Sequence, residues 1–567
     1  MAFLSFDERP FGWLLVSLCG LVLLLGLGFW NSSKKVPFPL PEWLFVLSGL
    51  GLLAWARLPV LLFNHELNPD ESQMISHAIT LARWPVYWQS VDGTTIGPLD
   101  LYALLLPRLL GLGFDYTAAR VLGLGCIAGS LSFLFGSLRA FFGASVARVA
   151  WLPALLFLSF TQLPDFVHYS SEHVPLVLLG GAVWLFARSV SEKDTPLIRA
   201  FGIGFLLGMV PFGKLQGVPP AGVVAVFALV LFWQRRQVRQ IAFLLVGGLT
   251  FPILALGLSA AFGVLDDFWT FYIVGNLQYG TNQSLLDTLL GVIAIWGKST
   301  YFRWLAVVGV FLLGMHFFQL RRYGWVIKSG RIVGAFIALS LLATGYAILK
   351  SGFPFTHYLH WLVAPLTLLN GWILSYFLTS TQRPLTPQIA GYGLTTSLLM
   401  LAPLLVNLTP GRAYNAYLSN PSANRALPQS AVSRAIESAL PPGATAQPGA
   451  ALVVWGWQCT YYVETQLPAG TAENHTERCI FPIQLRDTYR QRFLNDMQRT
   501  RPLAFVDAVG KQSWWVQDRA TQGYESFPAL AVYVRRHYRL VGEVNDCRLF
   551  VRNDSSAYAA GRQTIAP

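Results

Sequence analysis

The residues best suited to chemistry lie in one short stretch, Asn64-His65-Glu66-Leu67-Asn68-Pro69-Asp70-Glu71-Ser72, which runs on to His77. Pro69 pre-sets the backbone for a helix start, and Asp70 and Glu71 then fall in its first turn, where acids complement the helix dipole. A cap of that kind accounts for both acids without any chemistry. The same placement suits a carboxylate that takes a proton from an acceptor hydroxyl or amine, or that holds a divalent ion. Neighbouring side chains leave a helix in different directions, so one carboxylate would do chemistry and the other would support it. A second stretch, Pro164 to His173, repeats the theme with Asp165, His168, Glu172 and His173. On a helix His168 and Glu172, four apart, share a face and can hydrogen-bond, relay a proton or ligate metal. A helix start capped by Ser170 or Ser171 explains those residues equally. Asp70, His168, Glu172 and His173 are thus the candidate metal ligands, with Mg or Mn as the ion.

Cations come singly. Lys214 with Gln216, then Lys298, Arg303 and Lys350, flank apolar runs. Such a cation is commonly an interfacial side chain reaching for water, but Lys and Arg facing a cavity are also what a lipid phosphate at bilayer depth requires. Arg57, inside an apolar stretch, carries the most expensive charge, and either reaches outward or pairs with an acid.

The elements that must position these groups are membrane helices. Of 567 residues, 54% are hydrophobic and 12% charged, against about 45–50% apolar and about 25% charged in soluble domains. A purely cytosolic enzyme is excluded on that ground. The net charge of +13 is what basic loops give a polytopic protein, so nucleic-acid binding is not required. Apolar runs predict about twelve membrane helices: Gly12 to Trp30, Trp43 to Phe63, Thr117 to Leu138, Val146 to Leu163, Val174 to Val190, Ala200 to Phe212, Gly217 to Trp233, Ile241 to Gly263, Trp304 to Phe318, Ile332 to Leu349, Leu359 to Leu378 and Gln388 to Leu408. The first is read as an anchor and not a signal peptide, because Asp7 and Glu8 spoil a basic leader.

Lys and Arg gather in alternate loops, among them Lys34, Arg139, Arg235 and Arg321, which should be cytoplasmic. The opposite set, 64–116, 161–173, 213–216, 264–303 and 350–358, should face outward with both termini. That side holds every histidine except His316. After about Pro410 charge becomes denser, which predicts a membrane domain over 1–409 and an outward soluble α/β domain over 410–567. In the latter, Ala451 to Trp457, Leu503 to Asp507 and Leu549 to Arg552 read as strands and Leu485 to Arg499 as a helix. Cys459 and Cys479 either pair, leaving Cys547 odd, or stay as thiols; a zinc site with His475 matches no standard spacing. No Walker motif or dinucleotide loop is present, which speaks against a nucleotide-driven pump.

Several segments together resemble the GT-C superfamily of integral-membrane glycosyltransferases, in particular the bacterial branch with protein O-mannosyltransferases, the lipid A aminoarabinose transferase and the RgtA/B/C/D-like group. They are Pro69-Asp70-Glu71, Gly97-Pro98-Leu99-Asp100-Leu101-Tyr102 followed by Ala119-Arg120, Lys214-Leu215-Gln216, the run from Phe353 through His357-Tyr358-Leu359 to Pro365, and in the tail Val454-Trp455-Gly456-Trp457, Tyr461-Tyr462 and Tyr538 onward. Thr94, Thr95 and Ile96 depart from the pattern, which often has a Lys there. The resemblance implies transfer of a sugar from a polyprenyl-phosphate donor to a lipid, glycan or protein acceptor, with inversion, at the outward face of a bacterial inner membrane, and without a nucleotide. It makes Asp70 the general base, supported by Glu71 and Glu172, and gives the donor phosphate and sugar to Lys214, Gln216, Arg303, His357 and Tyr358.

Two other classes compete. A lipid-linked sugar flippase would carry polar groups through the middle of several helices, and the helix centres here are nearly free of charge. A non-catalytic glycan-binding protein would use Trp455, Trp457, Trp514 and Trp515, which serve as readily in a core.

Overall fold

The computed structural model describes residues 40–280 except 162, 284–298, 330–380, 425–443 and 449–553 except 512 and 514, with scattered positions elsewhere. Among these, six helices are long and apolar enough to cross a membrane: Glu42–Leu62, Tyr116–Phe142, His173–Ser191, Leu215–Gln234, Val238–Ala261 and Gly330–Leu349. Ala144–Phe160 and Leu197–Met209 are shorter, and His360–Ser380 carries Pro365 within it. These match the predicted spans to within a few residues. The predicted spans Trp304 to Phe318 and Gln388 to Leu408, and Arg303, lie outside the described residues. The segment 264–303, read as an outward loop, contains the apolar helix Leu285–Lys298. At 14 residues it is too short to register as a span.

Compactness divides the chain into two units, each drawn from separate stretches: 1–63, 123–255 and 280–423 form the first, and 64–122, 256–279 and 424–567 the second. The segment with Asp70 therefore folds with the tail.

The first unit is a helix bundle. Ala144–Phe160 is buried from Val146 to Phe160, as a helix apolar all round must be. Trp151 donates its indole N–H to the Leu131 carbonyl at 2.9 Å and leaves no room for a side chain at Gly49. Elsewhere small residues let backbones touch. A Cβ on Gly204 would strike the Leu244 carbonyl, and one on Gly208 the Gly248 carbonyl. Close approach of this kind holds helices together where lipid supplies no hydrophobic drive.

The second unit contains a four-stranded sheet, β1 (Leu452–Trp455), β2 (Ala504–Asp507), β3 (Tyr538–Val544) and β4 (Cys547–Arg552), in the order β1-β2-β4-β3. β1 runs parallel to β2, and the rest are antiparallel. Asn545 and Asp546, at φ 50° and 60°, make the two-residue turn that matches strand twist between β3 and β4. Leu452 and Val454 pack with Ile436 and Tyr462, while Val453 and Trp455 pack with Phe493 and Leu530. Both faces of β1 are thus buried, which is why its sequence is apolar without alternation. The helix predicted over Leu485 to Arg499 forms as Arg486–Thr500.

Candidate functional site

In the second unit the helix Pro69–Arg83 starts as its sequence dictates: Pro69 is the first helical residue and the Asn68 side chain accepts from the Asp70 backbone N–H at 3.0 Å. The two acids then part company. Glu71 is fully buried, and the Arg120 guanidinium grips it with two bonds, Nε to Oε1 at 2.9 Å and a terminal nitrogen to Oε2 at 2.7 Å. Arg120 also donates to the His65 carbonyl at 2.6 Å, and its guanidinium lies 5.6 Å from the Tyr116 ring centroid. A planar fork is the group that matches a carboxylate in two places. Asp70 is half-buried, and among the described residues no hydrogen bond or ion pair engages its carboxylate.

Around them, Glu66 accepts from Ser72, whose hydroxyl lies 2.9 Å from that of Tyr116. Glu66 is open to solvent on one side. Crowding on the other pushes its carboxyl up to about 7, helped by the charges of Glu71, Glu464 and Asp70 and opposed by the Ser72 bond. His77 and His475 are buried and held at about 3 by that burial, so both rings are neutral. Glu473 is buried near Arg492, Asp92 and Arg478, and burial outweighs the arginines, pushing it up to about 8 from an ordinary 4.5. The folded state then holds a proton that the unfolded chain releases, so stability falls as pH rises from the ordinary carboxylate value through about 8. Glu473→Gln is expected to remove that fall: melting midpoints of wild type and variant should be similar at pH 5 and diverge at pH 9 in the variant's favour, by on the order of 3 kcal/mol.

In the first unit, Glu172 and Lys214 are buried and paired with each other. Lys214 also donates to Ser171 Oγ at 2.7 Å, and its ammonium lies 5.0 Å from the Tyr358 ring centroid. Two of its three donors are used among the described residues. Burial works against a charge on Glu172, but Lys214 and His357 outweigh it and hold the carboxyl well below the usual range. His357 stacks on Phe355 at 5.4 Å and meets the Tyr358 ring edge-on at 4.8 Å. Gln216 is spent partly on structure, its amide donating to the Ala347 carbonyl at 3.0 Å.

Two expectations for this region are corrected. His168 and Glu172 do not share a helix: the helix Pro164–Val167 ends at His168, whose backbone is extended, and residues 168–172 form a turn. Neither Ser170 nor Ser171 caps the next helix, which begins after Glu172 without a side-chain cap. The Ser170 backbone N–H donates instead to His173 Nδ1 at 2.9 Å. Arg57 is satisfied by the Leu158 and Phe166 carbonyls, at 2.7 and 3.0 Å.

Beyond these polar groups lies an apolar cavity with about 890 Å³ of space, part of it open, walled by residues such as Leu131, Leu176, Val224, Phe336 and Leu368. His173 and His360 also line it, with rings 5.4 Å apart, and the Nε2 atom of each is buried without a hydrogen-bond partner. No sequence signal marked this cavity, since its walls come from six helices.

Among the described residues no three His, Cys, Asp or Glu side chains gather closely enough to share an ion. Of the candidate ligands, Glu172 is paired with Lys214, while Nδ1 of His168 and His173 lie 2.7 and 3.0 Å from the Pro164 and Ser170 carbonyls and the Nε2 of each is buried without a hydrogen-bond partner. The cysteines are all free, so Cys459 and Cys479 are not paired. Cys459 contacts the Asn474 carbonyl, and Cys479 the Glu473 carboxyl. Trp455 is wholly buried core, Trp515 is exposed, and Trp514 lies outside the described residues.

No protein-family profile matches the chain, and neither does any curated protein. Solved structures do. The crystal structure of ArnT from Cupriavidus metallidurans bound to undecaprenyl phosphate is similar over 92% of this chain and 99% of that one, with a TM-score of 0.54 and 16% identity. The apo state of the same protein gives a TM-score of 0.51 over the same shares, again at 16% identity. The chain therefore shares the fold of that structure, a polytopic helical protein with a small sheet region toward its C-terminus.

Proposed function

We propose that the chain is a membrane glycosyltransferase that moves a sugar from a polyprenyl-phosphate donor to an acceptor hydroxyl or amine, with inversion at the anomeric carbon. The observation that carries this reading is the division of the adjacent acids, Glu71 locked by Arg120 and Asp70 left half-exposed with no hydrogen bond or ion pair among the described residues. The fold it shares with a protein that binds undecaprenyl phosphate supports the donor class. Asp70 takes the proton of the acceptor group as its oxygen or nitrogen attacks the anomeric carbon. The bond from that carbon to the phosphate oxygen breaks, and the leaving phosphate takes up negative charge. Lys214, with one donor to spare and held by Glu172 and Tyr358, stabilises that charge, and His357 stands beside it. Glu172 acts as counter-ion and not as base. The apolar cavity suits the isoprenoid chain. On this reading the reaction takes place at the periplasmic face of a bacterial inner membrane, where the tail would also lie.

The test is release of polyprenyl phosphate from a panel of labelled polyprenyl-phosphate sugars by the purified protein, with native membrane extract as acceptor and with or without EDTA. Turnover is expected, and its survival or loss with EDTA decides whether a divalent ion takes part. No turnover with any donor, from folded protein, would overturn the reading in favour of a flippase or a glycan-binding protein.

A further inference from the structure

A second concave site lies within the tail, between the helices Arg486–Thr500 and Pro528–His537 and the end of β4. It spans about 1050 Å³ of space, part of it open to solvent, and its charged residues are all basic: Arg501, Arg536, Arg552 and His537. No acid is among the described residues that line it. Its floor is set by Tyr533, whose hydroxyl donates to the Met497 carbonyl at 2.9 Å and whose ring lies 4.6 Å from His537. Val532, 58% exposed, supplies an apolar wall with Leu494.

Basic residues at helix ends usually serve the helix itself, by bonding its last carbonyls. Here those carbonyls are served by others. Arg552 donates to the Arg501 carbonyl, and Asn553 donates its side-chain N–H to Arg536 O at 3.3 Å and its backbone N–H to His537 O at 2.9 Å. Arg501 and Arg536 are exposed, and among the described residues neither has a carboxylate partner. Arg501 also holds φ at 46°, where glycine would be less strained. The Arg501 and Arg536 guanidiniums thus stand beside Arg552 and His537 in a concavity whose described lining holds no carboxylate. An anion in the cleft would offset these charges, and guanidinium forks match phosphate oxygens in pairs.

We propose that this cleft binds a phosphate-bearing group, its oxygens taken by Arg501, Arg536 and Arg552 and its apolar part laid on Val532 and Leu494. The chemistry is common to a sugar phosphate and a phospholipid headgroup. The inference does not depend on the transferase reading, so either can fail alone.

Calorimetric titration of the full-length, detergent-purified protein tests it, with inorganic phosphate, a hexose 1-phosphate and a short-chain phosphatidylglycerol below its micellar concentration as separate probes. Saturable binding of at least one probe is expected, weakening with salt. Removing both exposed guanidiniums in R501Q/R536Q should weaken it about a hundredfold, roughly tenfold for each. K511Q, which removes an exposed charge elsewhere in the tail, should leave it unchanged, and the double variant Lys214→Met/Glu172→Gln separates the cleft from any phosphate held at Lys214. Binding of the hexose phosphate identifies a saccharide source, and binding of the lipid alone identifies a headgroup. No saturable binding at millimolar concentrations, an R501Q/R536Q variant that melts normally and binds as wild type, or an equal loss in K511Q would overturn the proposal.

Discussion

Replacing Asp70 by Asn is expected to lower the rate of sugar transfer by about three orders of magnitude, within the range a positioned general base supplies. The variant should fold and melt as wild type, because no described residue bonds the Asp70 carboxylate and Asn still permits the helix start that Asn68 and Pro69 set. Donor binding should be unchanged, since the lost group acts on the acceptor. Glu71→Gln makes the contrasting control. It leaves Arg120 buried with half of its ion pair, and breaking such a pair costs about 3–5 kcal/mol, so its first effect should be on the melting midpoint. An assay that follows kcat and thermal midpoint together separates the two acids. Full transfer activity in Asp70→Asn would remove it as the base, and an equal loss of stability in both variants would remove the division of labour.

What could be read from the sequence was local. Spans, strands and the helix start at Pro69 follow from hydropathy period, capping and fixed φ over a few neighbouring residues, and they stand in the structure. Partners distant in sequence were not legible. Arg120 reaches back 49 residues to Glu71, and Lys214 reaches back 42 to Glu172. Arg120 lies at the start of an apolar run, where a lone charge demands a partner. That demand was a usable signal, but nothing local names the partner. The same holds for Arg57, where an acid or water was expected and two carbonyls on other segments serve. The break at His168 was missed because a spacing of four implies one face only if the helix continues, and the chain turns between Val167 and His173. Cys459 and Cys479 show the converse: count and compartment permit a bond, while burial against a carbonyl and a carboxyl is what the fold uses them for.

The pair formed by Lys214 and Glu172 offers a way to tell a phosphate-binding lysine from a mere counter-ion. Lys214→Met alone should be strongly destabilising, by about 3–5 kcal/mol, because it strands a buried carboxylate; loss of activity in it would therefore say little. Glu172→Gln leaves the ammonium with Ser171 and the Tyr358 ring and should retain donor phosphate binding. The double variant Lys214→Met/Glu172→Gln removes both charges at nearly constant volume. Replacing a buried ion pair by neutral groups is often close to neutral for folding, so its melting midpoint should return most of the way to wild type. Its affinity for polyprenyl phosphate should not return, and transfer should remain lost at least a hundredfold, because a charge developing on the leaving phosphate has lost its nearest cation. The single and double variants, measured for both midpoint and polyprenyl-phosphate binding, thus form a cycle in which stability is restored and function is not. A double variant that melts normally and transfers sugar at the wild-type rate would make Lys214 a structural residue only, and would shift the phosphate to another cation.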